Sequence, residues 1–439
     1  MNPRRVAFDV LREVTGEGAY ANLALSQRLR RESLATRDAG FVTELVAGTS
    51  RLLGTYDPII ERASGRRLSS LQPAVVDLLR LGAHQLLWLE TPARAAVAST
   101  VDLARDTVGQ RVTGLVNAVL RKVGARSLDE WTEQLAAGLD PLGSLAIKGH
   151  HPRWIAAAFA EKLPLDEVGA LLAANNTPAL PTLVVRPGLS ERSELINAGA
   201  EPTRMSPFGA TWRGSPSAVP AVAQGRAGVQ DEGSQLVSLA LTRAAAPDGP
   251  WLDMCAGPGG KAALLTGLAQ QQGTWLLASE VAEHRARLVA AALSGYPGRS
   301  TRIITADGTL PAWKPGSFAR VMVDAPCSGL GALRRRPESR WRRSEGDLSD
   351  LVPLQRRLLS RALDALAPGG VAAYVTCSPH PAETGQVVDA VLAGRDDAEP
   401  LPAGEVLPEV AEASEAEFLQ LWPHRHGTDA MFLALIRRR

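Results

Sequence analysis

The stretch LDMCAGPGGKAALL, residues 252–265, decides the architecture of the C-terminal half of this chain. An apolar run ends on Asp253, a turn holds Gly257, Pro258, Gly259 and Gly260, and an apolar helical pattern follows. Glycines let the backbone approach a ligand closely there, and a helix opening at that point offers free N–H groups to a carboxylate or phosphate. One such turn is equally a plain strand-to-helix connection, so its neighbours matter. TWLLASE (274–280), TRIITAD (301–307), ARVMVDAP (319–326) and VAAYVTCS (371–378) repeat the grammar of a short apolar run, turn residues and then, in most cases, a helical segment. That alternation predicts a mostly parallel sheet with helices on both faces, in which ligands sit beyond the carboxyl ends of the strands. Glu280 ends the second run, about 20 residues past the turn, where an acid accepts the hydroxyls of a ribose. Asp307 ends the third, in reach of an adenine edge. Capping or turn duty would suit each acid as well.

Working outward, residues 3–122 are helical in pattern throughout, as in LQPAVVDLLRLGAHQLLWL (71–89). An all-α domain is expected over 1–140, with the Gly- and Pro-bearing stretch 136–152 as a junction. A smaller α+β domain is expected over 150–235, with helices in HPRWIAAAFAEKL and DEVGALLAANN and a strand in LPTLVVRP. An α/β domain is expected over 236–439, with its acidic segment 395–417 as a surface loop.

With 439 residues, 45% hydrophobic and 21% charged, the chain is that of a folded multidomain protein. It has no run of about 18 apolar residues and no signal-peptide pattern, so a cytoplasmic protein without membrane partners is expected. A net charge of +2 does not by itself imply nucleic acid. Lysine occurs only at 122, 148, 162, 261 and 314, so 43 of the 48 basic residues are arginine, a bias that a GC-rich coding sequence explains. Arg334, Arg335, Arg336, Arg340, Arg342 and Arg343 nevertheless crowd ten residues around Trp341, which predicts a phosphate-binding segment with a stacking ring.

The three cysteines, Cys255, Cys327 and Cys377, lie 72 and 50 residues apart. That spacing fits no zinc signature, and no metal is expected. Cys327 follows Asp324 and Pro326 at the fourth strand end, and Cys377 ends the fifth run. Two thiols and a carboxylate beside a cofactor turn form an arrangement in which a thiolate attacks an electrophilic ring carbon. The chemistry suits a pyrimidine: carbon 5 of cytosine is a poor nucleophile until a thiolate adds at carbon 6, after which a base must remove the carbon-5 proton and the thiolate leaves.

The segments CAGPGGK, DAPCSG followed by RRRPESRW, and VTCSPHPAET resemble the signature motifs of the bacterial Sun/Fmu (RsmB-type) RNA cytosine-5 methyltransferases. RRVAFDVL, GLVNAVLRK (114–122), HPRW (151–154), GVQDEGSQLV (228–237) and HRHGTDAMFLALIRR are similar to further landmarks of that family, so the resemblance spans nearly the whole chain. It implies a NusB-like N-terminal domain, a Rossmann-like catalytic domain using S-adenosylmethionine, and methylation of small-subunit ribosomal RNA. By resemblance Cys377 is the nucleophile, Cys327 assists product release and Asp324 contacts the target base. Cys255, Ala256, Gly257, Pro258, Gly259, Gly260 and Lys261 hold the cofactor with Glu280, Asp307 and Asp324. A monomer is expected. The chain departs from the family pattern at Ala262, where a threonine is usual, at Glu280, where an aspartate is, and at Pro187, where an asparagine is. Two other readings stay open: a DNA-type enzyme in which Cys327 of Pro326-Cys327 attacks, and a non-catalytic RNA-binding or antitermination factor.

Overall fold

A computed structural model describes residues 2–32, 34–298 and 300–439. They divide into two compact units, Met1–Pro178 with Leu333–Ser344, and Ala179–Ala332 with Glu345–Arg439.

The first unit is helical. Its first helix, Pro3–Gly16, opens with Asn2 accepting the Arg4 N–H and proline in the first turn. The long helix Thr36–Ser64 and the helices Pro73–Leu87 and Thr113–Val123 bury Leu45, Tyr56, Ile59, Leu78, Leu79, Val116 and Leu120 in one core. Close packing is set by Gly82, where a Cβ would lie 2.6 Å from Leu120 Cδ1. The stretch 136–152 is not the open junction expected. Asp140 caps a helix, Pro141–Lys148, and helices Arg153–Ala160 and Leu165–Asn176 continue the same unit.

The arginine-rich segment also belongs to this unit, and the phosphate-binding expectation is corrected for Arg340, Trp341 and Arg342, whose donors are taken by the chain itself. Arg340 is fully buried and donates to His150 O (3.0 Å), Asn176 Oδ1 (2.8 Å) and Asn175 O (3.2 Å). The Trp341 ring lies over Gly54, where a Cβ would come within 2.1 Å of it, and its Nε1 donates to Arg51 O at 3.1 Å. Arg342 donates to Val14 O, Gly18 O and Ala19 O, at and just past the C-terminal end of the first helix. Carbonyls left over at a helix end attract a cation as phosphate oxygens do, and here they are within reach of the same chain.

The second unit holds two sheets. Strands β1 (Thr182–Val185), β2 (Glu201–Pro202), β3 (Gly209–Thr211) and β4 (Ala227–Val229) form a small antiparallel sheet in the order β2-β3-β1-β4. Strands β5 (Trp251–Asp253), β6 (Leu276–Glu280), β7 (Thr301–Thr305), β8 (Phe318–Asp324) and β9 (Leu366–Thr376) form the parallel core of the larger sheet, ordered β9-β8-β5-β6-β7. The expected doubly wound α/β class is thus what is found. Beyond β9 the sheet turns antiparallel with β13 (Phe432–Arg438), which pairs along Phe432–Arg437. Segment 395–417, expected as a surface loop, instead supplies β10 (Ala398–Leu401) against β13 and β11 (Ser414–Glu415) against β12 (Phe418–Gln420), and buries Ala403, Leu407, Val410 and Ala413. Its spaced apolar residues outweigh its acids.

Candidate active site

The order of strands reverses between β5 and β8, and a doubly wound sheet opens its ligand crevice at such a point. The glycine turn follows β5 there. Gly259 sits at φ +109° as the cap of helix Gly260–Gln271, and a Cβ on it would lie 2.6 Å from Ala292 Cβ and 3.1 Å from Val289 Cα. Only glycine fits both the dihedral and the space. At Gly257 a Cβ would lie 2.2 Å from Glu280 Oε2.

Glu280, at the end of β6, is buried; Oε2 accepts the Gly257 N–H at 3.0 Å and Oε1 the Ala282 N–H at 3.1 Å. It therefore fastens the turn to β6. Asp307 is exposed, two residues past β7, and accepts the Thr309 N–H and O–H at 2.8 Å each. Cys255 is partly buried within the turn, and burial, reinforced by Asp253 and Asp324, pushes its thiol well up.

The electrostatics centre on carboxylates. Asp253 is fully buried, and burial first, then Asp324, pushes its carboxyl up to about 7 against the pull of Lys261. Its Oδ1 accepts the Cys255 N–H, while Oδ2 has no hydrogen-bond partner among the described residues. Lys261 Nζ donates to Asp324 Oδ2 at 2.8 Å. Burial alone would lower the ammonium, yet Asp324, the Cys377 sulfur and Asp253 together more than offset it. Asp253, Glu280 and Asp324 so close together favour a cationic ligand, and the helix N-terminus favours a carboxylate. S-adenosylmethionine carries a sulfonium, an ammonium and a carboxylate, so the residues present fit it.

Cys327 and Cys377 lie just past the ends of β8 and β9, paired with Asp324 opposite Val375 and extended by Ala325 N–H donating to Val375 O at 2.9 Å. Their sulfurs are 3.4 Å apart, and the bond to Cys377 and burial push the Cys327 thiol well up. Asp253, Cys255, Lys261, Glu280, Asp324, Cys327 and Cys377 thus lie within electrostatic reach of one another, whereas the Asp307 side chain bonds to Thr309 and is not brought into that cluster. Sequence reasoning missed the residues behind the thiols: Ser328, Ser378, Gln355 and Glu383, which bond to one another. The repeated Cys-Ser pair was a signal for the serines; nothing local marked Gln355. Among the described residues no cluster of three metal-ligating side chains occurs, and no helix is long and apolar enough to cross a membrane.

A doubly wound sheet with a glycine turn at its switch point, acids at the following strand ends and a charge pattern matched to the cofactor defines an S-adenosylmethionine-dependent methyltransferase. Residues 240–437 match the family model of the 16S rRNA methyltransferase RsmB/F, and residues 1–125 match the NusB family. A Mycobacterium tuberculosis protein bearing the name of a methyltransferase is 46% identical over 99% of this chain and 96% of its own. The ribosomal RNA small subunit methyltransferase B of Vibrio cholerae is 32% identical over 91% of this chain and 93% of its own. The chain belongs to this family of small-subunit ribosomal RNA methyltransferases. The fold is shared with the crystal structure of PH0851, at TM-score 0.83 and 20% identity over 100% of this chain and 99% of that one.

Proposed function

We propose that the protein methylates carbon 5 of a cytosine in small-subunit ribosomal RNA through a covalent adduct between Cys377 and carbon 6 of the base. S-adenosylmethionine supplies the electrophilic methyl group, held by Cys255, Ala256, Gly257, Pro258, Gly259, Gly260 and Lys261 with Glu280, Asp307 and Asp324. The chain's own residues do the rest. The Lys261 ammonium lies within electrostatic reach of the Cys377 sulfur, and a cation in that place stabilises the negative sulfur that attacks. Attack at carbon 6 makes carbon 5 nucleophilic, with Asp324 holding the base. After methyl transfer the carbon-5 proton must leave; Cys327 assists that step, and the carbon–sulfur bond to Cys377 breaks as the aromatic ring is restored. The supporting observation is the thiol pair, 3.4 Å apart at adjacent strand ends beside the Lys261–Asp324 ion pair.

We assign RNA selection to the helical residues 1–140 and the chemistry to 236–439; the segment 150–235, expected as one domain, is divided at Pro178 between the two units and receives no separate role. Bisulfite sequencing of small-subunit ribosomal RNA from cells with and without the gene tests the reading. One cytosine protected only when the gene is present is the expected result; an identical pattern in both overturns it.

A further inference from the structure

We propose that Glu383 is a positioning residue that fixes the two thiols against each other, a role that rests on the thiol reading above. Its side chain is fully buried, and its carboxylate faces donors. Oε1 accepts the Ser328 N–H at 2.8 Å and Gln355 Nε2 at 3.0 Å; Oε2 accepts the Ser328 hydroxyl. The same Gln355 nitrogen donates to Pro326 O at 2.8 Å. Glu383 thus holds the residue after Cys327 directly and the residue before it through Gln355. Ser328 Oγ lies 3.1 Å from Ser378 Oγ, which accepts the His380 N–H at 3.2 Å, so the hold extends to the residue after Cys377. Two further bonds brace the frame: Tyr374 OH donates to Glu383 O at 2.8 Å, and Gly331 N–H to Cys377 O at 2.9 Å.

Both reactive loops therefore share one buried anion. A carboxylate suits the place because it offers only acceptors to the N–H and O–H groups aimed at it. Glutamine keeps one acceptor oxygen for Ser328 N–H and Gln355, and its NH₂ can donate to Ser328 Oγ, which then donates to Ser378. Alanine leaves buried donors without partners, and both loops gain freedom. Thiols need an alignment better than about 1 Å to act in sequence on one base, and a loss of that order costs about 100-fold in rate.

The test uses the full-length chain as wild type, Glu383→Ala and Glu383→Gln, without RNA at first. A short bifunctional alkylating reagent bridges Cys327 to Cys377 in proportion to their apposition, while a monofunctional one reports the exposure of each; both products are read by peptide mass spectrometry. Glu383→Ala is expected to lose most of the bridged product and keep single alkylation of both thiols, with S-adenosylmethionine affinity unchanged. Turnover on RNA should fall about 100-fold in kcat with KM for RNA little changed, and Glu383→Gln should recover most of both signals. Wild-type bridging in Glu383→Ala overturns the proposal. If Glu383→Ala fails to bind S-adenosylmethionine and is unfolded, Ser328→Ala decides, because it removes only the hydroxyl that links Glu383 to Ser378. Its bridging should fall with single alkylation of both thiols kept, and wild-type bridging overturns the idea. Because bridging needs no RNA and no turnover, it judges Glu383 even if a Cys377→Ala enzyme stays active and the cytosine reading falls.

Discussion

Arg340→Ala separates an anchoring arginine from a phosphate-binding one. The wild-type guanidinium serves three oxygens, His150 O, Asn176 Oδ1 and Asn175 O, inside the helical unit. Truncation leaves those acceptors without their donor, at about 1–2 kcal/mol each, and adds the penalty of the emptied volume. Against this stands relief from burying a charge, since burial and then Arg51 pull the Arg340 guanidinium well down. The balance is a loss of about 3–5 kcal/mol, the range found when one partner of a buried charged network is removed. For a unit of this size that lowers Tm by about 6–20 °C. Differential scanning calorimetry of the full chain, with proteolysis mapping which region opens first, reads the effect. Arg340→Met, which keeps most of the volume, should lose less. An unchanged Tm together with a shallower salt dependence of RNA binding would refute the anchoring role and restore the phosphate reading.

Gly259→Ala must place a Cβ at φ +109° and 2.6 Å from Ala292, so S-adenosylmethionine affinity should fall at least tenfold and stability by about 2–4 kcal/mol; calorimetric titration giving wild-type affinity would contradict the turn's role. His150 is held down to about 4 by burial and then by Arg340, so it is neutral in the fold, and between pH 6.5 and 4 the unfolded chain binds the extra proton. Its contribution is complete above pH 6.5 and declines by about 3 kcal/mol as pH falls to 4; urea midpoints of His150→Asn should show a flatter acid limb than wild type, and parallel limbs would reject this. On the thiol reading, Cys377→Ala should abolish methyl transfer and any covalent RNA complex, whereas Cys327→Ala should accumulate a denaturant-resistant complex that needs cofactor and RNA together. Gel mobility shows which, and the reverse pattern would move the nucleophile to Cys327 as in the DNA-type arrangement.

What the sequence determined by itself was local or periodic. The glycine turn at 257–260 needs only its own dihedrals and a following helix, and helical spacing over 3–122 needs only the repeat of 3.6 residues. Alternation of runs and helices implied the doubly wound order, and that order places Asp253, Glu280, Asp324, Cys327 and Cys377 at one edge without any side-chain coordinate. The tertiary structure alone decided matters of pairing across long separations. Glu383 meets Ser328 across 55 residues, and Arg340 meets Asn175 across 165. Two of the arginines that look like a phosphate grip in one dimension become anchors once carbonyls of the helical unit meet them, Arg340 in the core and Arg342 at the surface. The segment 395–417 reads as a polar loop until β13 supplies an edge for Ala398–Leu401 to pair with. A hydrogen-bond donor states what it needs in the sequence, but which acceptor meets it depends on where distant strands and helices bring their free oxygens.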